Sequence, residues 1–227
     1  METRNKAISR VGARKITTRK SPIIYSSEVA NSLISSLLNA SMGANQFLGN
    51  SFVHNKLGEK ISVDNLSIIE DPFLPKGLSS CKFDFEGVKA SKRSIVKNGV
   101  LENYFLDSYY ARKMGMGPTG NSGGYHNIIV GHDDLSLDEL LKVMDTGLLV
   151  TELIGQGVNL STGDYSRGAF GYWVEKGIIQ YPVHEITIAG NLRDIFKGIV
   201  KISNDVDIRR SIRSGSILID QLTIAGA

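Results

Sequence analysis

Four histidines and one cysteine are the side chains in this sequence best suited to bind a transition metal, and their spacing does not bring them together. No two histidines are separated by the three or four residues that place two imidazoles on one helical face. His184 precedes Glu185, but the pattern there is that of a strand, whose neighbouring side chains point to opposite faces. We interpret His126 and His132 as surface-loop residues. The spacing therefore predicts no metal site.

The serine and glycine motifs give only weak signals for catalysis or phosphate binding. Ser122 and Ser166 lie in glycine-flanked loops without the strand–turn–helix context of an activated serine. Gly155-Gln156-Gly157 is a bare GxG, and Gly117–Gly124 lacks the Lys-Ser/Thr ending of a phosphate-binding loop. Asn191 begins a helix that could hold an anion, although most helix starts hold only their own cap. We therefore predict no catalytic residue in this chain.

A dense polar loop, Thr162–Arg167, is the best candidate for a binding surface. We expect its Asp164 and Arg167 to pair over an adjacent strand. This pairing fits either a salt-bridged turn or a contact for a partner subunit or a threaded peptide, since extended peptides bind strand edges. The predicted peptide- or partner-binding residues are Asn159, Thr162, Asp164, Tyr165 and Arg167.

Hydrophobic periodicity predicts short strands and hairpins with intervening helices. The predicted strands cover 21–26, 60–70, 125–130, 146–154 and 216–224. The predicted hairpins cover 86–107, with its turn at Lys97-Asn98-Gly99, and 170–188, with its turn at Lys176-Gly177. The predicted helices cover 28–40, 108–114, a segment capped by Ser136, and 192–203. This mixture favours an α+β fold with largely antiparallel pairing.

The predicted helix at 28–40 has an unusual polar face. That face carries only serine and asparagine, at Asn31, Ser32, Ser35, Ser36 and Asn39. Both residue types are poor helix formers, and no charge accompanies them. We therefore expect other parts of the structure to cover this face partly.

Charge is concentrated at the N-terminus of the 227-residue chain. The net charge is +3, but residues 1–20 hold seven Lys or Arg against Glu2 alone, so this basic leader is +6 and residues 21–227 are −3. The leader is typical of a solvated or strand-protecting segment, and a nucleic-acid arm is the alternative. No aromatic residue lies among its charges to stack on bases, so we do not expect nucleic-acid binding.

Cysteine content and hydropathy indicate a cytoplasmic protein. Cys81 is the only cysteine, so no disulfide can form within the chain. No apolar run approaches the ~20 residues that span a bilayer, and the basic leader lacks the apolar stretch of a secretion signal. We therefore predict no membrane association.

The sequence contains three long motifs, LDSYYARKMGMGPTGNSGG (106–124), TELIGQGVNLSTGDYSRGAFGYWVEKGIIQYPVHEITIAGNL (151–192) and GSILIDQLTIAG (215–226). Together they resemble the TldD/PmbA metalloprotease family, closest to its PmbA (TldE) branch, and the resemblance runs from about Ala7 to the C-terminus. It implies a cytoplasmic, zinc-dependent peptidase built as a heterodimer of a TldD-type and a PmbA/TldE-type subunit. Its substrates would be peptides and unstructured proteins, including microcin precursors in maturation. The name modulator of DNA gyrase also belongs to the family.

The sequence departs from the TldD pattern where the zinc ligands belong. The resemblance aligns the His-Glu-x-x-x-His helix of TldD subunits with Ser35 to Ala40, so Ser35 and Ala40 replace the histidines and Ser36 replaces the glutamate. The C-terminal cysteine ligand has no counterpart in 209–215. Serine and alanine cannot replace imidazole and thiolate on zinc. The resemblance thus implies no cofactor in this chain and zinc in a TldD-type partner.

Residues 21–227 resemble the C-terminal domain of a PmbA/TldE-type protein. Family members are much longer than this chain, so we expect it to be a fragment or a split gene product. Three functions remain open at this point. The chain is a subunit without its own zinc, a free-standing peptide-binding module, or a gyrase- or nucleic-acid-associated protein.

Overall fold

The computed structural model describes residues 8–226, and its elements confirm the α+β class. The strands are β1 (Arg19–Tyr25), β2 (Ile68–Asp71), β3 (Arg93–Lys97), β4 (Val100–Leu101), β5 (Asn127–Val130), β6 (Gly147–Ile154), β7 (Asp164–Glu175), β8 (Ile178–Asn191), β9 (Ile199–Ile202), β10 (Ile212–Arg213) and β11 (Ile217–Ala225). The helices are α1 (Ser27–Ala40), α2 (Gly43–Phe47), α3 (Ser108–Lys113), α4 (Leu137–Met144) and α5 (Leu192–Lys197). Within residues 8–226, no helix is long and apolar enough to cross a membrane.

A small closed barrel forms one half of the molecule. Its strands run in the order β1-β6-β7-β8-β11, and β11 pairs back with β1. The β1–β6 contact is parallel and the other contacts are antiparallel. Where β7 pairs with β6, a Cβ on Gly171 would lie 2.1 Å from the Leu149 carbonyl oxygen. This close approach therefore requires glycine.

A second sheet packs on the barrel through α1. Its strand order is β10-β5-β2-β3-β4. Helix α1 contacts β1 and β6 of the barrel and β10 of the second sheet. The apolar side chains Leu33 and Leu37 of α1 are fully buried in one hydrophobic cluster with Ile23 of the barrel and Ile68 of the second sheet. The barrel, helix and second sheet therefore share one core.

Helix α4 covers another face of the barrel with a smaller cluster. Leu140 and Met144 pack there with Ile24 and Leu149, whereas the preceding residues of the same strands, Ile23 and Leu148, belong to the larger cluster. This alternation is the two-residue period of strands with both faces covered. The predicted cap is confirmed, since Ser136 and Glu139 form a capping box.

The two predicted hairpin turns are confirmed, although the elements around them differ in length. Asn98 and Gly99 have φ values of 49° and 77° and join β3 to β4, but that hairpin covers only 93–101 of the predicted 86–107. The hairpin across Lys176-Gly177 is longer than predicted, because β7 begins at Asp164 and β8 ends at Asn191. The segment 164–167 is therefore strand and not loop.

Two other predicted elements are wrong in extent. The predicted helix at 192–203 stops at Lys197, and Gly198 follows as its C-cap. The β-branched residues after it form β9, which pairs with β11 and so takes the extended conformation. The predicted strand at 60–70 is restricted to Ile68–Asp71, since Asp64-Asn65 forms a turn before it.

The described part of the basic leader lies along the barrel. The guanidinium groups of Arg10, Arg14 and Arg19 lie over the rings of Phe170, Tyr181 and Trp173, at 4.8, 4.6 and 5.0 Å from the ring centroids. Arg19 already belongs to β1. Arg4 and Lys6 lie outside the described residues. These cations therefore pack on aromatic faces of β7 and β8.

A buried carboxylate organises the second sheet and its loops. Glu70 of β2 is 1% exposed. Its Oε2 accepts from Nε and Nη2 of Arg93 at 2.9 and 2.8 Å, and its Oε1 accepts from Asn121 Nδ2 and the His126 backbone N–H, both at 2.8 Å. The His126 ring Nδ1 lies 2.8 Å from the same oxygen. His126 is thus buried, and its interpretation as a surface-loop residue is wrong, because its partner lies 56 residues away in the sequence.

Removing the charge of Glu70 should destabilise the protein strongly. Glu70→Gln leaves Arg93 without its counter-ion, and breaking such a buried pair costs about 3–5 kcal/mol. The free energy of unfolding from urea denaturation measures this loss. The matched control is Glu102→Gln, since Glu102 is exposed and its loss should change stability by less than about 0.5 kcal/mol. Equal stabilities of the two variants would contradict the assigned role.

Glu70 should also make stability depend on pH in the acid range. Burial acts to raise the pKa of Glu70, but the hydrogen bonds from His126 and the charge and hydrogen bonds of Arg93 outweigh it and lower the pKa. A carboxyl whose pKa is lower in the folded state stabilises the fold above its unfolded pKa of about 4.3, and this stabilisation is lost as pH falls through the folded pKa. Urea midpoints between pH 7 and pH 3 should therefore fall less steeply for Glu70→Gln than for Glu102→Gln. Parallel curves would refute the contribution.

Candidate functional site: a polar cleft on helix α1

A cleft of about 480 Å³ opens on the polar face of α1. One wall is the serine- and asparagine-rich face of the helix, formed by Asn31, Ser32, Ser35, Ser36 and Asn39. The opposite wall comes from the segment between β6 and β7, from Arg167 of β7 and from Ile212 of β10. The face that the sequence marked as unusual is therefore covered only in part and forms one side of this cleft.

The polar residues of α1 are held by bonds within the helix and to a neighbouring loop. Ser36 Oγ donates to the Ser32 carbonyl oxygen at 3.1 Å, and Asn39 Nδ2 donates to Ser35 Oγ at 3.3 Å. Ser35 Oγ also lies 3.3 Å from the hydroxyl oxygen of Tyr125. Tyr125 directly precedes His126, so the bond between the His126 backbone N–H and Glu70 restrains the backbone next to this tyrosine.

Arg167 supplies the charge of the cleft. Its Nη1 donates to Ser32 Oγ at 2.6 Å. Its Nε is buried without a hydrogen-bond partner. Among residues 8–226 no acidic side chain pairs with this guanidinium group. The cleft therefore contains a fixed cation with unused donors.

Two buried tyrosines lie on the barrel side of Arg167. Tyr165 shares a strand face with Arg167, and its ring meets that of Tyr25 edge to face, with centroids 6.4 Å apart. Burial raises the pKa of Tyr25 well above its ordinary value and raises the pKa of Tyr165. Both phenols are thus neutral at physiological pH and do not balance the charge of Arg167.

The side chains of this cleft do not fit a zinc ion. Its lining offers hydroxyl and amide groups, aliphatic side chains and a guanidinium group, whereas zinc sites use imidazole, thiolate and carboxylate. Ser35 and Ser36 line the cleft, and Ala40 is fully buried. Within the part of the chain that the structure describes, no three His, Cys, Asp or Glu residues cluster as metal ligands. A cation at Arg167 would also repel a metal ion.

Of the other predicted binding residues, Asn159 and Thr162 precede β7, and Asp164 is its first residue. Asn159 Oδ1 accepts from the backbone N–H groups of Ser161 and Thr162 at 3.0 and 3.3 Å. Thr162 Oγ1 donates to Asp164 Oδ2 at 2.6 Å, and Asn191 Nδ2 donates to Asp164 Oδ1 at 3.2 Å. These hydrogen bonds lower the pKa of Asp164. Asn159 and Asp164 line a shallower neighbouring depression.

The predicted pairing of Asp164 with Arg167 is wrong. Arg167 is three positions after Asp164 along β7, so their side chains lie on opposite faces of the strand. Asp164 bonds Thr162 and Asn191, whereas Arg167 reaches across to α1. Sequence reasoning thus selected Arg167 without its partner Ser32. The polar face of α1 was predicted to be partly covered but was not predicted to be a site. Its unusual Ser/Asn composition was the sequence feature that could have indicated the cleft.

Comparisons with known proteins identify the family. A match to the PmbA/TldA metallopeptidase C-terminal domain covers residues 18–226. The chain is 48% identical to metalloprotease PmbA of Escherichia coli O157:H7 over 221 residues, which are 97% of this chain and 49% of that protein. It is 49% identical to a metalloprotease PmbA homolog of Buchnera aphidicola, over 99% of this chain and 50% of that protein. The chain thus spans about half the length of the curated relatives it matches.

Solved structures agree in fold. TldE from Thermococcus kodakarensis superposes with a TM-score of 0.87 at 25% identity and covers 98% of this chain and 54% of that one. A Bacteroides thetaiotaomicron protein, described as a proposed modulator of DNA gyrase, gives a TM-score of 0.95 at 33% identity, over 100% of this chain and 51% of that one. These matches confirm the resemblance read from the sequence motifs. The chain belongs to the PmbA/TldA metallopeptidase family and carries its C-terminal domain.

Proposed function

We propose that this chain belongs to a PmbA/TldE-type subunit of a zinc metalloprotease complex that processes or degrades peptides and unstructured proteins, microcin precursors among them, in the cytoplasm. In this proposal the chain is not catalytic, and it pairs with a TldD-type subunit that holds the zinc. Its own task is to shape the chamber in which an extended peptide lies.

The donor set of the α1 cleft is the observation that carries this proposal. The cleft lies on the helix that the resemblance aligns with the metal-binding helix of TldD subunits. Its hydroxyls, amides and guanidinium group can hold a peptide by hydrogen bonds, but they suit no zinc ion. The family match supports the protease context.

The described leader residues weigh against the nucleic-acid alternative. Arg10 pairs with Glu152, and Lys15 pairs with Glu185 at 2.7 Å. Phosphate binding needs cations that are available for the backbone of a nucleic acid. The free-standing peptide-binding module remains the alternative, and it differs from the proposal in requiring no TldD-type partner.

Zinc content and reconstitution test the proposal. The purified chain should hold far less than one zinc per molecule after dialysis and should hydrolyse no unstructured peptide. Adding a TldD-type subunit should give a co-purifying complex whose hydrolysis of a fluorogenic peptide stops with a chelator and returns with zinc. The TldD-type subunit alone is the control for activity.

Two results would overturn parts of this proposal. Stoichiometric zinc in the dialysed chain, or chelator-sensitive hydrolysis by it alone, would overturn the non-catalytic role. Failure to co-purify with the TldD-type subunit would leave the free-standing binding module as the function.

A further inference from the structure

The guanidinium group of Arg167 is an unbalanced charge in a partly enclosed site. Arginine has five N–H donors, and a single one of them bonds within residues 8–226, to Ser32. The Nε group is buried without a partner. The Nη2 group also has no partner within residues 8–226 and, unlike Nε, it is not buried. It is therefore open to an acceptor that enters the cleft.

The surroundings of Arg167 leave its charge uncompensated. The residues that line the cleft include no carboxylate. Arg209 and Arg210 line an adjoining depression that shares Asn31 and Ile212 with the cleft. Arg209 pairs with Glu28 at 3.0 Å and with Asp207 at 2.8 Å, and Arg210 lies 3.6 Å from Asp207. Those acids offset the two neighbouring arginines, so the net positive charge of the cleft comes from Arg167.

A single planar cation matches a single carboxylate. The fork of an arginine side chain fits the two oxygens of a carboxylate in one plane. A phosphate carries close to two negative charges at neutral pH and usually requires more than one cation. The remaining lining groups that face the cleft, Asn31, Ser35 and Asn39, offer amide and hydroxyl groups suited to the backbone of an extended peptide.

We propose that the α1 cleft binds a carboxylate of an extended peptide, with Arg167 as its ionic partner and Asn31 and Ser32 beside it. This inference rests on the proposed function as a peptide-handling subunit and specifies which chemical group of the peptide this chain recognises. The carboxylate is that of the peptide C-terminus or of an acidic side chain.

Three forms of one probe peptide distinguish these sources. The probe is a dansyl-labelled hexapeptide, (Gly-Ser)3, with a free C-terminal carboxylate, with a C-terminal amide, or as the amide with one central Ser replaced by Glu. Fluorescence anisotropy measures binding to the purified chain. A charge-assisted bond should make a carboxylate form bind at least about tenfold tighter than the neutral amide. Preference for the first form identifies a C-terminal carboxylate, and preference for the third identifies an acidic side chain.

Two variants and one control test the role of the cleft. Arg167→Gln should reduce the ratio of carboxylate to amide affinity to about one. Asn31→Asp places a competing carboxylate in the cleft at a residue of nearly the same shape, and it should reduce the ratio even if Arg167→Gln fails to fold. Arg112→Gln makes the same change in net charge at an exposed residue outside the cleft, and it should preserve the ratio.

Three results would contradict the proposed carboxylate site. Equal binding of all three forms, no binding of any form, or a ratio that survives both cleft variants would overturn the carboxylate site. Co-purification with a TldD-type subunit is measured on the same variants. A retained complex with no carboxylate preference rejects this inference alone, whereas a lost complex in the unmodified chain rejects the proposed function.

Discussion

The buried carboxylate of Glu70 is the constraint on which the second sheet depends, and it is linked through Tyr125 to Ser35 of the cleft. A carboxylate at 1% exposure must have its oxygens satisfied by the protein. Here the donors come from β3, from the loop at Asn121 and from His126 immediately before β5. These segments are distant in sequence and cannot shift independently without leaving a buried charge unpaired. The same network holds Tyr125, whose hydroxyl contacts Ser35. A polar interaction inside the fold is therefore connected to one serine of the surface cleft.

Closure of the barrel provides the second condition for the cleft. Because β7 is paired on both sides, its side chains alternate between fixed environments. Tyr165 is buried against Tyr25, and Arg167, two residues later on the same face, extends to Ser32 of α1. The helix is in turn fixed by its apolar residues, which are buried between the barrel and the second sheet. The guanidinium group is thus positioned by packed elements before a ligand binds, which reduces the ordering cost of binding.

Local chemistry accounts for the parts of the fold that the sequence predicted correctly. The turn at Asn98-Gly99, the cap at Ser136 and the turn at Lys176-Gly177 are set by residues adjacent to one another. The failures involve partners far along the chain. β9 is a strand because β11 lies beside it, and His126 is buried because Glu70 accepts its hydrogen bond. The same contrast applies to the site. The polar composition of α1 and the candidate Arg167 could be predicted from the sequence, whereas the contact between Arg167 and α1 depends on the closed barrel.

The side chains that line the cleft can bind a ligand, but they lack a group that activates water. Peptide hydrolysis needs a group that activates water, either a general base that exchanges protons near neutral pH or a metal ion. The hydroxyls and amides on α1 do not titrate near neutral pH, and a guanidinium group keeps its proton at any pH at which proteins fold. Each of these groups can hold a ligand, and none of them can serve as a general base. In the proposed complex, this chain would position an extended peptide on α1, and the TldD-type subunit would supply the groups that cleave it.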